Sequence, residues 1–348
     1  MRPRDTVENL TAYSAPLEGR TGKLRLDFNE NTVGPSPKVR QAIQNIGPHI
    51  YAAYPAYSGF TKKLAEYTGV SSFSILPLNG VDAGIKAIFD AYGQRDAGFL
   101  TADPTFGYYF PCAAAQGMQF IKVPYLPDLS YPLDDIESEL KKGPKIFAIC
   151  NPDNPTGSLV EAEKIIQWVR KFPNILFVVD EIYVDFTQVT IVPDMIQYPN
   201  VIVLRSFSKA FGLAGFRVGY AIAQSGILEH LRKVMGPYDL STPAIIAAEA
   251  ALSDLNYVKQ YVEDIKVSKA FTLEALNKLN RKTFCGAANY ILVWPKSDCE
   301  LIQKRLQDRG ILVRSMAGKT VIDGAIRVTI GTKLQMKQFI AAFSILDT

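Results

Sequence analysis

Lys209 and the residues around it are the part of the chain best suited to chemistry. Two serine hydroxyls, Ser206 and Ser208, precede the lysine, and Arg217 follows it eight positions later. A lysine amine in a shielded pocket can form a Schiff base with a carbonyl cofactor. Hydroxyls and a guanidinium are the donors that a phosphate monoester requires. The run therefore predicts pyridoxal 5'-phosphate (PLP) as the cofactor, although a lone lysine of this kind would be read as a solvated loop residue.

Three further residues could hold the ring of such a cofactor. Asp180 ends a buried apolar run, where its carboxylate could keep a pyridinium nitrogen protonated. Tyr183 follows three positions later, and Asn154 lies in a turn that two prolines and a glycine make rigid. We expect both side chains near the ring oxygen. Each residue also has a purely structural alternative. Asp180 could be a helix N-cap, Tyr183 could be a half-buried packing residue, and Asn154 could belong to an ordinary turn.

A second group could bind the phosphate and cover the ring. Gly80, Val81 and Asp82 open a helical stretch, and backbone N–H groups at a helix start suit a phosphate. Phe106 follows a predicted strand and could stack on the cofactor ring. A single glycine-rich turn is weak support, and the alternative for Phe106 is core packing.

Two arginines lie in apolar C-terminal segments that read as strands. Arg327 is in Ile-Arg-Val-Thr-Ile, and Arg314 follows Ile-Leu-Val. An arginine in an apolar strand is costly unless it is paired. A substrate carboxylate, bound bidentately, would be a suitable partner. An internal salt bridge is the alternative for both residues.

Composition narrows the possible functions. The chain has 348 residues, 48% hydrophobic and 21% charged, with a formal net charge of +4 and no basic arm for nucleic acid. The two histidines and four cysteines show no metal spacing, so we expect no metal site. Without a membrane-spanning run or a signal peptide, and with few cysteines, the expected compartment is the cytoplasm.

The order of apolar runs predicts an α/β fold. Short non-alternating runs at 97–101, 145–150, 175–179 and 201–204 read as buried strands, and helical patterns lie between them. This alternation predicts a mainly parallel, doubly wound sheet, with ligands at the carboxyl ends of its strands. After about residue 238 the pattern changes to a smaller α+β domain. It has a helix at 244–252, a long helix at 257–279, strands at 288–294 and 325–330 and a helix at 300–309.

Taken in order, these motifs resemble the fold-type I, class I and II PLP-dependent aminotransferases, and within them the histidinol-phosphate aminotransferase group. The lysine run and Asn-Pro-Thr-Gly at 154–157 are the most specific matches. The resemblance extends over nearly the whole chain, through Asn9–Tyr13, Leu26–Asn31, Gly34–Pro37, Tyr54-Pro55, Gly80–Asp82, Asp180-Glu181, Pro237–Ser241 and the two arginine strands.

The resemblance implies an organisation and a set of roles. Residues 1–34 would form an arm joining the small domain, 35–238 the large PLP-binding domain, and 239–348 the small domain. Lys209 would be the Schiff-base lysine and proton carrier, with Asp180 and Tyr183 as the other catalytic residues. The cofactor would be bound by Gly80, Val81, Asp82, Phe106, Asn154, Asp180, Tyr183, Ser206, Ser208, Lys209, Arg217 and, across a homodimer interface, Tyr54. The substrate would be bound by Tyr13, Asn154, Arg314 and Arg327.

The implied reaction is transfer of the amino group of histidinol phosphate to 2-oxoglutarate, giving imidazole acetol phosphate and glutamate. Aromatic amino-acid aminotransferases and threonine-phosphate decarboxylases share most of these residues and stay open as alternatives. The chain departs from the group at Thr32-Val33, where a proline and an aromatic residue are usual, and at Ala83, where glutamate is common. A PLP-binding regulator without turnover is disfavoured, because the enzyme-like pattern occupies residues 9 to about 345. We expect no nucleic-acid or membrane partner.

Overall fold

Strands of the computed structural model, which describes residues 1–13 and 18–347, form three sheets. In chain order they are β1 (Leu24–Arg25), β2 (Ile75–Asn79), β3 (Gly98–Asp103), β4 (Gln119–Pro124), β5 (Ile146–Cys150), β6 (Leu176–Asp180), β7 (Val201–Ser206), β8 (Val218–Ala223), β9 (Lys282–Phe284), β10 (Tyr290–Trp294), β11 (Ile311–Leu312), β12 (Arg314–Ser315) and β13 (Ile326–Thr329).

The α-helices pack around these sheets. They are α1 (Asp5–Glu8), α2 (Pro37–Gln44), α3 (Pro48–Tyr51), α4 (Ser58–Thr68), α5 (Gly80–Tyr92), α6 (Tyr109–Ala115), α7 (Leu133–Leu140), α8 (Ala162–Lys171), α9 (Val184–Thr187), α10 (Val192–Met195), α11 (Ser225–Val234), α12 (Thr242–Leu252), α13 (Leu255–Lys278), α14 (Cys299–Asp308) and α15 (Lys333–Leu346). Short 3-10 helices occupy Ser72–Ser74 and Ala214–Phe216.

The largest sheet has seven strands in the order β2-β8-β7-β6-β5-β3-β4. The pairs from β7 through β6, β5 and β3 to β4 are parallel, and β8 alone runs antiparallel to both of its neighbours. Every residue of β5, β6, β7 and β8 is buried. This is the burial expected for a sheet covered on both faces by helices. The predicted α/β class with a mainly parallel sheet is confirmed.

The four strands predicted from apolar runs are β3, β5, β6 and β7, each shifted by no more than two residues. The sequence pattern missed β2, β4 and β8. Strand β2 contains Pro77, and β8 contains Gly219 and two alanines, which weaken a strand signal. Strand β4 lies at the edge and is largely exposed, so it has no continuous apolar run. The N-cap of α12 is Ser241, and the helix begins two residues before the predicted start at 244.

The C-terminal part has its own antiparallel sheet, in the order β12-β13-β10-β9. Helices α12, α13 and α14 and strands β10 and β13 confirm the predicted elements of this part, within about two residues at each end. Helix α15 was not predicted. The N-terminal segment joins it, because β1 pairs in parallel with β11 and the Thr329 N–H donates to the Leu26 carbonyl at 2.9 Å. Residues 24–26 therefore lie against the C-terminal strands.

The turn after β5 and the segment before β10 cross in close backbone contact, with Gly157 on one segment and Gly286 on the other. The Ala287 N–H donates to the Gly157 carbonyl at 2.7 Å, and Gly157 has φ +81°. A Cβ on Gly286 would overlap the carbonyl group of Gly157, which is backbone and cannot swing away. The crossing therefore requires glycine at position 286.

We expect Gly286→Ala to destabilise the protein by about 1–3 kcal/mol, the usual cost of overpacking, measured as a lowered unfolding midpoint. Gly226→Ala is the control, because Gly226 lies in α11 and a Cβ there would meet nothing within 4 Å. The control should leave stability unchanged or raise it slightly, since alanine has the higher helix propensity. Equal stability of the two variants would contradict the close crossing.

Candidate active site

The predicted site residues gather at one edge of the seven-stranded sheet. Strand β6 ends at Asp180 and β7 ends at Ser206. Ser206 is paired with Gly219 of β8, and Asn79 at the end of β2 is paired with the adjacent Val218. Ligands of open α/β sheets bind at this carboxyl edge. The topology thus brings the turns after β2, β6 and β7 to one place.

Lys209 extends from the turn after β7 towards the N-terminal segment. Its Nζ donates to the Phe28 carbonyl at 2.9 Å and lies 5.7 Å from the centre of the Tyr183 ring. Burial and the positive charge of Arg327 lower the pKa of the Lys209 amine to about 8. A larger neutral fraction near pH 7 makes the amine a better nucleophile and base.

Asp180 is fully buried at the end of β6. Its Oδ2 accepts a hydrogen bond from the Tyr109 hydroxyl at 2.9 Å, and its Oδ1 accepts one from the Ile182 N–H at 3.2 Å. Burial raises the pKa of the Asp180 carboxyl to about 7. Within the described residues no cationic side chain forms an ion pair with it. A cationic ring nitrogen would supply the missing positive charge.

Tyr183 lies near Lys209, and Asn154 contacts Arg327. The fully buried Tyr183 hydroxyl accepts a hydrogen bond from Asn29 Nδ2 at 2.8 Å. Burial raises the pKa of Tyr183, so its phenol is neutral and can donate a hydrogen bond. The Asn154 Oδ1 accepts a hydrogen bond from Arg327 Nη1. Its amide nitrogen is therefore left as the free donor of that side chain.

The start of α5 and Arg217 form a cradle suited to a phosphate. Gly80 is the first residue of the helix and has φ +72°, and a Cβ there would lie 2.5 Å from Arg217 Nη2. Arg217 pairs with Asp82 at 2.8 Å, and both side chains are nearly half exposed. Such a pair contributes about 0–1 kcal/mol, so the guanidinium can also bind an anion. The Ser206 Oγ accepts from the Ser208 N–H at 3.0 Å, which leaves its hydroxyl proton free.

Aromatic side chains close one side of the site. Phe106 is edge-on to Tyr13 at 5.9 Å and to Tyr109 at 6.0 Å between ring centres. It therefore lies beside the tyrosine that donates to Asp180. Tyr13, half exposed, also meets Tyr108 edge-on at 5.9 Å.

Arg327 and Arg314 face each other as a register pair of β13 and β12. Arg327 is only 8% exposed, donates from Nη2 to the Asp27 carbonyl at 2.6 Å, and keeps its buried Nε without a partner. A cavity of about 50 Å³ beside Arg314 is lined in part by Asp27 and Arg20. No carboxylate in the described chain lies within ion-pair distance of either Arg314 or Arg327. The alternative of an internal salt bridge is therefore not observed there.

Tyr54 lies on the surface of the chain. It is 76% exposed and stacks on Tyr238 with ring centres 4.0 Å apart. Of the departures from the family pattern, Thr32 donates from Oγ1 to Gln335 Oε1 at 2.6 Å, while Val33 is exposed. Thr32 thus binds the start of α15.

Reasoning from single motifs missed three contributors to the site. They are Phe28, which holds Lys209 through its carbonyl, Asn29, which contacts Tyr183, and Tyr109, which contacts Asp180. Tyr109 lies eight residues after the predicted strand at 97–101 and three residues after Phe106. A backbone carbonyl gives no sequence signal, and Asn29 is 154 residues away from its partner in sequence.

The described residues contain neither a cluster of metal ligands nor a helix able to span a membrane. Among residues 1–13 and 18–347, no three His, Cys, Asp or Glu side chains converge as metal ligands would. In the same ranges, every helix is too short or too polar to cross a membrane.

Comparison with known proteins places the chain among described families. A family model for aminotransferase class I and II matches residues 21–343. The histidinol-phosphate aminotransferase of Lysinibacillus sphaericus is 33% identical over 352 residues, which cover 96% of this chain and 95% of that protein. The one from Methanococcoides burtonii is 34% identical, covering 92% and 89%. The crystal structure of histidinol-phosphate aminotransferase from Sinorhizobium meliloti, in complex with pyridoxal-5'-phosphate, has a TM-score of 0.91 at 25% identity and covers 99% and 97%.

Asp180 predicts a specific pH dependence of stability in the cofactor-free protein. A carboxyl with a pKa of about 7 when folded and 3.8 when unfolded binds more protons in the folded state between these values. Wild-type stability should therefore fall, relative to Asp180→Asn, as pH rises from about 4 to about 7. Thermal unfolding midpoints of both cofactor-free proteins at pH 5 and pH 8 would measure this.

The expected result is an advantage for Asp180→Asn that is larger at pH 8 than at pH 5. Asp134→Asn, an exposed residue in the first turn of α7, is the control and should show no such change between the two pH values. An advantage independent of pH would mean that Asp180 does not titrate as its burial predicts.

Proposed function

We propose a specific reaction for this chain, which belongs to the class I and II aminotransferase family and is a PLP-dependent transaminase. It transfers the amino group of histidinol phosphate to 2-oxoglutarate, yielding imidazole acetol phosphate and glutamate. The observation that carries this proposal is the pair Arg314 and Arg327, which are cross-strand neighbours and have no carboxylate within ion-pair distance among the described residues. The names and extent of the relatives support the same reaction.

The residues at the sheet edge fit PLP. The glycine cradle at Gly80 and Arg217 suits its phosphate, and the buried Asp180 carboxylate suits a cationic ring nitrogen. When bound, PLP withdraws electrons from the substrate and makes its Cα proton acidic. We assign Gly80, Val81, Asp82, Ser206, Ser208 and Arg217 to the phosphate, Asp180, Asn154 and Tyr183 to the polar atoms of the ring, and Phe106 to its face.

Lys209 is the proposed attachment point and proton carrier. Its Nζ is released when the substrate amine replaces it, and the Phe28 carbonyl can then hold it. With a pKa of about 8, the amine is partly neutral near pH 7 and can accept a proton. Lys209 then moves the proton between substrate Cα and cofactor C4′, while Asp180 keeps the ring nitrogen protonated.

The arginine pair explains how one site could accept two different substrates. Histidinol phosphate has a phosphate and no carboxylate, whereas glutamate has two carboxylates. Guanidiniums bind either oxyanion through bidentate hydrogen bonds. Arg327 is the main anion ligand in this proposal, assisted by Arg314 and Tyr13, and the Asn154 amide adds a donor near the ring.

The proposed active unit is a cytoplasmic homodimer. Within one chain, the exposed Tyr54 stacks on Tyr238. Its hydroxyl would instead reach the PLP phosphate bound by a second copy. We retain the division into an arm at 1–34, a large domain at 35–238 and a small domain at 239–348, which the pairing of β1 with β11 supports.

The substrate assignment is tested by steady-state kinetics with histidinol phosphate, phenylalanine, tyrosine and threonine phosphate. The proposal expects the highest kcat/KM for histidinol phosphate, with 2-oxoglutarate as acceptor. A higher value for an aromatic amino acid would instead identify an aromatic aminotransferase. Release of CO₂ from threonine phosphate would identify a decarboxylase.

Arg327→Lys gives a sharper test of the anion site. Lysine keeps the charge but loses the bidentate geometry, so kcat/KM for both substrates should fall by roughly tenfold or more. Lys337→Arg, on the exposed side of α15, is the charge-conserving control and should leave both values unchanged. Normal kinetics of Arg327→Lys would remove Arg327 from the substrate site.

The assembly is tested by Tyr54→Phe. A hydrogen bond to a charged group contributes about 1.5–3 kcal/mol, so the variant should bind PLP roughly tenfold or more weakly without unfolding. Tyr51→Phe is the matched control, since Tyr51 is similarly exposed. Mixing Tyr54→Phe chains with inactive Lys209→Ala chains should restore one wild-type site per heterodimer. Exchange of subunits without any gain over the separate variants would mean that each site uses one chain.

A further inference from the structure

Asn29 is a buried junction between the small-domain sheet and the catalytic edge of the large sheet. It is 1% exposed and has φ +57°, a left-handed conformation that asparagine tolerates better than most residues. Its backbone N–H donates to Thr329 Oγ1 at 3.0 Å, and its carbonyl accepts from Asn289 Nδ2 at 3.2 Å. Its side-chain amide donates to the Tyr183 hydroxyl at 2.8 Å. Every polar group of Asn29 is thus used.

The hydrogen bonds fix which atom donates at each step. Thr329 Oγ1 accepts the backbone N–H of Asn29, so its own proton is directed at Asn29 Oδ1, 3.1 Å away. The amide oxygen is thereby engaged, and Nδ2 must face Tyr183. Because the Tyr183 oxygen accepts that N–H, its proton is free to be donated elsewhere. No acceptor for this proton is found among the described residues.

We propose that Thr329 and Asn29 are positioning residues that hold Tyr183 as a hydrogen-bond donor to the ring oxygen of the cofactor. The inference rests on the function proposed above, in which Tyr183 faces that oxygen. The chain of donors runs from Thr329 of β13 through Asn29 to Tyr183. Thr329 fixes the orientation of the Asn29 amide, and the Asn29 amide fixes the orientation of the Tyr183 hydroxyl. Neither Asn29 nor Thr329 contacts the cofactor in this proposal.

The same strand connects this relay to the substrate site. Arg327 and Thr329 are two residues apart on β13, so their side chains lie on the same face. Arg327 contacts the Asp27 carbonyl and Thr329 contacts Asn29, so both bind one short segment of the N-terminal arm. A substrate anion that moves Arg327 would therefore act on the strand that orients Tyr183.

Charged and titratable groups surround Tyr183 on several sides. The positive charge of Arg327 lowers the pKa of Tyr183, whereas Asp180 and Cys150 raise it, and burial has the largest effect, raising it. Lys209 Nζ lies 5.7 Å from its ring, and the Tyr290 ring lies 5.6 Å away. The Asn29 amide is the group in direct hydrogen-bond contact with the phenol oxygen, and it also lowers the pKa.

The test is the pH titration of the visible absorbance of the PLP-loaded protein. In the PLP-loaded protein the ring oxygen of the cofactor and the lysine nitrogen share a proton. A hydrogen-bond donor to the ring oxygen competes with that proton, so weakening the donor favours the protonated form of the linkage between cofactor and lysine. Thr329→Val removes the hydroxyl with little change of shape. Its titration midpoint should rise by roughly 0.5–1 pH unit, the equivalent of one hydrogen bond. Thr329→Ser keeps the hydroxyl and should restore the wild-type midpoint.

Thr272→Val is the matched control. Thr272 is also fully buried and loses one hydrogen bond on substitution, to the Ser268 carbonyl at 2.7 Å, but it lies within α13 away from the site. Its midpoint should equal that of the wild type. Asn29→Gly tests the next step of the relay, because glycine keeps φ +57° without strain and removes only the side chain. Its midpoint should rise as in Thr329→Val.

The outcomes separate this inference from the proposed function. Wild-type midpoints in both Thr329→Val and Asn29→Gly, with PLP bound, would overturn the relay and leave the reaction untouched. Should one variant fail to fold, the other decides. A shift in Thr272→Val as large as in Thr329→Val would also overturn it, because the effect would then follow from lost stability. Absence of any PLP chromophore in the wild type would instead refute the cofactor assignment on which the relay rests.

Discussion

The structure depends on keeping charged side chains buried without opposite charges beside them. Asp180 has no cationic partner in the described chain, Lys209 has its pKa lowered to about 8, and Arg327 retains an unpartnered Nε. Buried charges of this kind cost several kcal/mol each when left unpaired. A cofactor with a cationic ring nitrogen and a substrate with an oxyanion would supply the missing charges. The unpaired buried charges that destabilise the cofactor-free protein are therefore the same groups that would bind the cofactor and the substrate.

The N-terminal segment at 24–31 holds these groups in place. It pairs with the C-terminal strands through Leu24 and Leu26, and its carbonyls at Asp27 and Phe28 hold Arg327 and Lys209. One stretch of extended backbone thus fixes the distance between the proposed anion ligand and the proposed catalytic amine. Lys209 and Arg327, which belong to different parts of the fold, are thus aligned by main-chain atoms, which leave no mark on side-chain motifs.

How much of this arrangement the sequence could predict depends on how far apart along the chain the interacting residues lie. Lys209 and Asp180 could be marked as candidates because Asp180 ends one buried apolar strand, Lys209 follows another by three residues, and the run around Lys209 is specific. Strand β8 was missed because its glycine and alanines pack closely where larger residues would give a signal. Asn29 could be marked only as part of a family motif, since its role arises from contacts about 150 and 300 residues away in sequence. Tyr54 stays a prediction, because its proposed partner atom belongs to a second chain.

The central claim is that Lys209 is the residue to which the cofactor is attached, and reduction with borohydride followed by peptide mapping tests it most directly. The account predicts one reduced, PLP-labelled peptide containing Lys209, and loss of the label in Lys209→Ala. Lys269, a partly buried lysine that donates to the carbonyls of Gly286 and Ala288, is the internal control and should remain unlabelled. A label on Lys269 or any other lysine, or persistence of the label in Lys209→Ala, would contradict the account.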